Sequence, residues 1–112
     1  MHELTLLSGV FRTVSREMER NRLSSVEEIA LDVGELSSVV PEYLERCFPV
    51  AAAGTPLAKA RLSISVVPAV CRCRACARAF PFRDTNGVCP ACGGGGELVS
   101  GTDFTVRHIV AR

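Results

Sequence analysis

Two cysteine pairs, Cys73-Arg74-Ala75-Cys76 and Cys89-Pro90-Ala91-Cys92, stand with twelve residues between them in a chain of 112. At this spacing two tight turns present four thiolates to one tetrahedral ion, the arrangement of a structural zinc site. Pro90 presets the second turn, and Gly93 after it can take positive φ with backbone N–H groups aimed at the sulfurs. Ala77 holds the matching place after the first turn, where a left-handed backbone costs about 1 kcal/mol. Four thiolates around Zn²⁺ leave a net negative charge, and Arg72, Arg74 and Arg78 lie close in sequence to offset it. A closed four-sulfur site has no position for water. Its expected role is to fold a segment whose apolar residues, Phe80, Phe82 and Val88, cannot hold it alone. Spacing does not separate zinc from iron in a rubredoxin-like site, and free or disulfide-bonded cysteines are the other alternative. Cys71 cannot enter a filled tetrahedral shell and reads as a spare thiol, the other reading being an alternative ligand or a thiol in transfer. Cys47 reads as a small core residue.

The rest of the chain bounds what can surround this module. With 47% hydrophobic residues, 112 positions support one modest core and a satellite. The balance of 13 basic and 12 acidic residues gives a net charge of +1, no global field for nucleic acid or anionic membrane. No apolar run approaches the roughly 20 residues of a membrane span, and MHELTLLSGVF has no basic leader before its apolar stretch, so the expected location is cytoplasmic.

Leu4, Leu7, Phe11, Val14 and Met18 recur at helical spacing and predict a first helix running to about Arg20. Ile29, Leu31 and Val33 alternate with Glu28, Ala30 and Asp32, a half-buried strand ended by Gly34. Ser38 and Pro41 open a second helix with Leu44, Cys47 and Phe48 on its apolar face; Pro49 should end it near Phe48 or kink it there. Leu62, Ile64 and Val66 make a second strand, closed by Pro68, and 104–110 is β-rich and can rejoin the first sheet. Gly93 to Gly96 read as a hinge, and His108 as a strand-surface residue. The fold class is therefore α+β, with about two helices on a three-stranded sheet formed by 1–68 plus 99–112 and an inserted zinc-ribbon-like domain at 69–98.

At the amino terminus, the Met1 amine, the His2 amide nitrogen and its imidazole can close adjacent five- and six-membered chelate rings, a nitrogen set favoured by Ni(II) and Cu(II). On its own this signal is weak. The whole chain, however, resembles the HypA/HybF family of hydrogenase nickel-incorporation proteins. The resemblance rests on Met1-His2-Glu3 before the amphipathic helix, Gly34-Glu35-Leu36-Ser37 leading to Pro41-Glu42, Gly54-Thr55, Ala60-Arg61-Leu62, and the two cysteine turns. It implies an α/β nickel-binding domain carrying a zinc domain, nickel held at Met1, His2 and Glu3, and zinc held at Cys73, Cys76, Cys89 and Cys92. It further implies transfer of nickel to the precursor of a [NiFe]-hydrogenase large subunit, with the GTPase HypB as partner and urease accessory proteins as a further option. Val40, Pro49 and Cys71 depart from the family pattern without touching those ligands. A square plane gives the His2 nitrogen only two cis neighbours, so one of its linked donors is axial, absent or replaced. The Glu3 carboxylate either tunes that site or is a solvated acid favoured by the helix dipole.

Two other classes compete. Arg72, Arg74, Arg78 and Arg83 beside Phe80 and Phe82 would suit a zinc-ribbon nucleic-acid-binding module, at the cost of leaving the terminus unexplained. Iron at the four thiolates would make an electron carrier. No Ser-His-Asp set, open metal site or paired-carboxylate motif points to an enzyme.

Overall fold

The structure, a computed structural model, describes residues 2–112; Met1 and the side chain of His2 lie outside what it describes. Along the chain run α1 (His2–Asn21), β1 (Val26–Gly34), α2 (Pro41–Ala52), β2 (Arg61–Val67), β3 (Val70–Cys73), β4 (Ala79–Pro81), β5 (Gly96–Ser100) and β6 (Phe104–Ala111). They form two three-stranded sheets, ordered β2-β1-β6 and β4-β3-β5. The expected order of helix, strand, helix, strand, cysteine module and returning strand is thus present, and the module has a small sheet of its own.

The residues divide into two compact units. The first holds the residues up to Asp32, with Val39–Ser65 and Thr105–Arg112; the second holds Val33–Ser38 and Val66–Phe104. The second unit reaches beyond 69–98 at both ends because Val33–Ser38 is bonded into it: the N–H groups of Gly34, Glu35 and Leu36 donate to the carbonyls of Asp103, Val67 and Gly101 at 2.7, 2.8 and 2.7 Å.

In the first unit β1 is the middle strand, and Ile29, Ala30 and Leu31 are all fully buried. Consecutive strand residues point to opposite faces, so both faces of β1 are covered, more than the half-burial its alternation predicts. Ion pairs flank it, Arg61 with Glu28 at 3.2 Å, Arg107 with Asp32 at 3.6 Å and Arg112 with Glu27 at 2.8 Å. Such exposed pairs contribute about 0–1 kcal/mol each and mainly favour one register. In α1 the buried stripe is Glu3, Leu7, Val10 and Val14, whereas Leu4 is 37% exposed. Leu7 and Val14 are buried as the sequence predicts and Phe11 and Met18 are partly buried, but the stripe begins at Glu3 instead of Leu4 and takes in Val10. Phe11 meets Phe48 of α2 edge to face, ring centroids 5.8 Å apart.

Helix α2 does not stop at Phe48: it continues through Pro49 to Ala52. The proline forfeits one hydrogen bond near the helix end, but Phe48 and fully buried Ala52 lie on the same face four residues apart, and the Ala53 N–H donates to the Pro49 carbonyl at 3.1 Å. Core packing of that last turn offsets the missing donor. Gly54, at φ +77°, then turns the chain away. Neither helix among the described residues is long and apolar enough to cross a membrane.

Candidate metal centre

The second unit is built so that its strands hand cysteines to one point. In the β3–β4 register Val70, Cys71 and Arg72 face Pro81, Phe80 and Ala79, which sets Cys71, Cys73 and Phe80 on one side of the sheet. With Cys89 these form the unit's buried cluster, and Phe82 packs against it. Most of that cluster is cysteine, and Phe80 is its one fully apolar buried side chain.

Each cysteine turn closes in the same way. Ala77 N–H donates to the Cys73 carbonyl at 3.0 Å and Gly93 N–H to the Cys89 carbonyl at 2.8 Å; both residues are left-handed, at φ 65° and 76°. The turns bring the sulfurs of Cys73, Cys76, Cys89 and Cys92 within 4.8 Å of one another. The Cys73–Cys92 and Cys76–Cys89 sulfur pairs are 3.4 and 3.7 Å apart. Metal–sulfur bonds of about 2.3 Å at tetrahedral angles place sulfurs about 3.8 Å apart, so this donor set fits one four-coordinate ion with little movement. Cys73 and Cys89 are buried, Cys76 and Cys92 exposed.

Backbone donors tune the sulfurs. The N–H groups of Cys76 and Ala75, 3.5 and 3.4 Å from the Cys73 sulfur, pull its thiol down to about 6. The Cys92 and Ala91 N–H groups lower Cys89 against its burial. Cys92 goes the other way: the Gly94 N–H pulls it down, but the sulfurs of Cys73, Cys76 and Cys89 outweigh that and push it up to about 12. Four sulfurs at these distances do not all ionise unless a cation sits among them, which is the electrostatic counterpart of the geometric fit. Of the three arginines read as offsetting the thiolate charge, Arg72 donates to the Ala77 carbonyl and Arg74 pairs with Glu97 at 3.9 Å.

The glycine run is part of the site rather than a hinge. A Cβ at Gly94 would sit 3.2 Å from the Cys73 sulfur and 3.3 Å from that of Cys92, and one at Gly96 would be 2.6 Å from the Phe80 ring. Cys89 N–H donates to the Gly94 carbonyl, Arg74 N–H to that of Gly95, and Gly96 N–H to that of Gly87. Glycine is needed here for close approach, a purpose that the sequence alone does not distinguish from flexibility.

The remaining candidates are scattered. Cys71 is buried beside the cluster but is not among the four convergent sulfurs, and Cys47 is partly buried on α2. His108 is half exposed on β6, 3.9 Å from the Glu28 carboxylate. Of the terminal residues, Met1 and the His2 side chain lie outside the described residues, and Glu3 is 8% exposed in the first turn of α1. Sequence reasoning missed Glu35, whose carboxylate takes the Ala69 N–H at 2.8 Å as well as Arg83. Only its place after Gly34 marked it, with no chemistry attached.

Fold and site together define a small α+β protein in which a four-cysteine cluster that could hold one metal ion is carried by a three-stranded module interrupting an α/β unit. Residues 1–111 match the family described as "Hydrogenase/urease nickel incorporation, metallochaperone, hypA". The chain is 39% identical over 110 residues to the hydrogenase maturation factor HypA of Geobacter sulfurreducens, covering 97% of each chain. It is 36% identical to that of Dechloromonas aromatica, again over 97% of each. The chain belongs to the HypA family of nickel metallochaperones for hydrogenase maturation. Its fold is also that of the solution structure of a HypA protein, with a TM-score of 0.77, 18% identity and coverage of 100% of this chain and 97% of the other. The solution structure of the Ni metallochaperone HypA from Helicobacter pylori gives 0.71, at 18% identity over 97% and 96%.

Proposed function

We propose that this chain carries Ni(II) as cargo, bound through Met1, His2 and Glu3, and delivers it for maturation of the [NiFe]-hydrogenase large subunit, while Cys73, Cys76, Cys89 and Cys92 hold a structural Zn(II). The observation that carries the reading is the family match from residue 1 to residue 111, which includes the chelating terminus and both cysteine turns. Local structure favours the donors. The His2 and Glu3 amides lie in the first turn of α1, where backbone N–H groups have no intrahelical acceptor, so metal coordination there breaks no helical hydrogen bond. The two units of the fold divide the labour, the α/β unit taking nickel and the cysteine unit zinc. In this reading the terminus binds and releases nickel, the cysteine centre keeps its zinc and neither turns over a substrate, so the protein acts as a carrier and not as an enzyme. Its partners in this reading are HypB and the large-subunit precursor in the cytoplasm, with urease accessory proteins as a further destination for nickel.

Metal analysis of the untagged protein tests the reading. The expected result is one zinc per chain that survives a weak chelator and one nickel per chain that exchanges; zinc alone, with no saturable nickel, overturns the nickel assignment.

A further inference from the structure

The clasp around Glu35 does something the metal sites do not explain. One carboxylate oxygen accepts the Ala69 N–H at 2.8 Å; the other takes Arg83 Nε at 3.1 Å and Nη2 at 2.9 Å. Ala69 is held from its other side as well, its carbonyl accepting the Phe82 N–H at 2.9 Å. Arg83 belongs to the stretch between the two cysteine turns, shaped locally by the Thr85 hydroxyl on the Pro81 carbonyl at 2.6 Å and by the Asn86 N–H on that of Phe82 at 3.0 Å. Three donors therefore converge on a carboxylate only 21% exposed, and two of them belong to a side chain positioned by the inter-cysteine stretch. Glu35 itself sits amid the amides of Gly34, Glu35 and Leu36 that tie Val33–Ser38 into the unit.

We infer that the Glu35–Arg83 clasp transmits metal occupancy of the four-cysteine centre to Val33–Ser38, ordering this segment when the centre is filled and releasing it when the centre is empty. The inference rests on the four-thiolate reading above, because the ion is what fixes the frame that carries Phe82 and Arg83. The buried cluster of Cys71, Cys73, Phe80 and Cys89 is too small to fix that frame by itself. Breaking the ion pair removes two of the three donors on Glu35, so local opening of Val33–Ser38 becomes easier. The segment thereby reports, away from the sulfurs, whether the centre is loaded.

The test is amide exchange by NMR on the full chain, with zinc content measured in every sample. In zinc-loaded protein Gly34, Glu35 and Leu36 should be protected, and removing zinc should speed their exchange by about tenfold or more. Arg83→Gln and Glu35→Gln, each zinc-loaded, should speed the same three amides while leaving Ala75 and Cys76 protected. Glutamine at 35 keeps an acceptor for the Ala69 N–H, so this variant isolates the ion pair. The double variant should be no worse than either single one, as residues acting through one contact are non-additive. Absence of bound zinc in the native chain refutes the four-thiolate reading. Bound zinc with the three amides indifferent to its removal, or to Arg83→Gln, overturns the clasp.

Discussion

Ala77 and Gly93 are counterparts: each follows the second cysteine of its turn, each is left-handed, and each returns its N–H to the carbonyl of the turn's first cysteine, at 3.0 and 2.8 Å. Only one of them is a residue at ease there. Gly93→Ala should destabilise the zinc-loaded protein by about 1 kcal/mol through backbone strain alone, since nothing lies within 4 Å of the added Cβ. Ala77→Gly should be neutral or stabilising by up to about 1 kcal/mol, strain relief being partly offset by the freer unfolded chain. Denaturant unfolding of zinc-loaded variants measures both; a loss of stability in Ala77→Gly contradicts the account. Gly94→Ala, by contrast, presses on the sulfurs of Cys73 and Cys92 and should weaken zinc binding itself.

Zinc and the cysteine unit should stand together. Cys89→Ser removes a buried ligand from a unit whose core is mostly sulfur, so Val66–Phe104 should lose amide protection while α1, α2 and the β2-β1-β6 sheet keep theirs. Amide exchange on the variant decides it, and a protected module without metal would show that apolar packing suffices.

How much of this could be read from the chain varies with the kind of signal. The cysteine turns were legible because metal geometry demands a fixed local spacing, and the helix and strand order because amphipathic periods are local too. The continuation of α2 through Pro49 was not, since it depends on Ala52 having a core to enter. Nor was the start of the α1 stripe: Leu7 and Val14 are buried as read, but Glu3 occupies a buried position that its charge disguises, and Leu4 an exposed one. The packed glycines and the Glu35 clasp depend on residues 16 to 48 positions apart meeting in space, as with Gly94 against Cys73, Gly96 against Phe80 and Glu35 against Arg83. No window of sequence contains such pairs.

Nickel binding should depend on a free terminus, because the amine is a donor in the proposed set and chelate rings tolerate no inserted atoms. His2→Ala and a form extended by one Gly before Met1 should both lose nickel and keep zinc. Parallel nickel titrations of the three proteins check this; full nickel binding in the extended form removes the terminus from the site.

The two metals should part company with pH. Nickel competes with protons at an α-amine of pKa about 8 and an imidazole of about 6.5, so its apparent affinity should fall steeply between about pH 8 and 6. The zinc ligands begin from a different place. Backbone N–H groups already hold the Cys73 thiol at about 6 and depress Cys89, so these groups are thiolates above their folded pKa values before any ion arrives. The sign follows from that direction: a lowered pKa favours the metal-ready form at higher pH, and the advantage is lost only as pH drops through the lowered value. Cys92, pushed up to about 12 by its sulfur neighbours, is the exception, and a dication removes the cause by neutralising the charge those neighbours contribute. Zinc bound to all four should therefore hold through the pH 8 to 6 window in which nickel is released. No histidine lies between Cys71 and Ser100 to replace a thiolate there. Chelator competition for each metal across a pH series measures this separation, and joint loss of nickel and zinc near pH 6.5 would mean that the sites share a ligand or a switch.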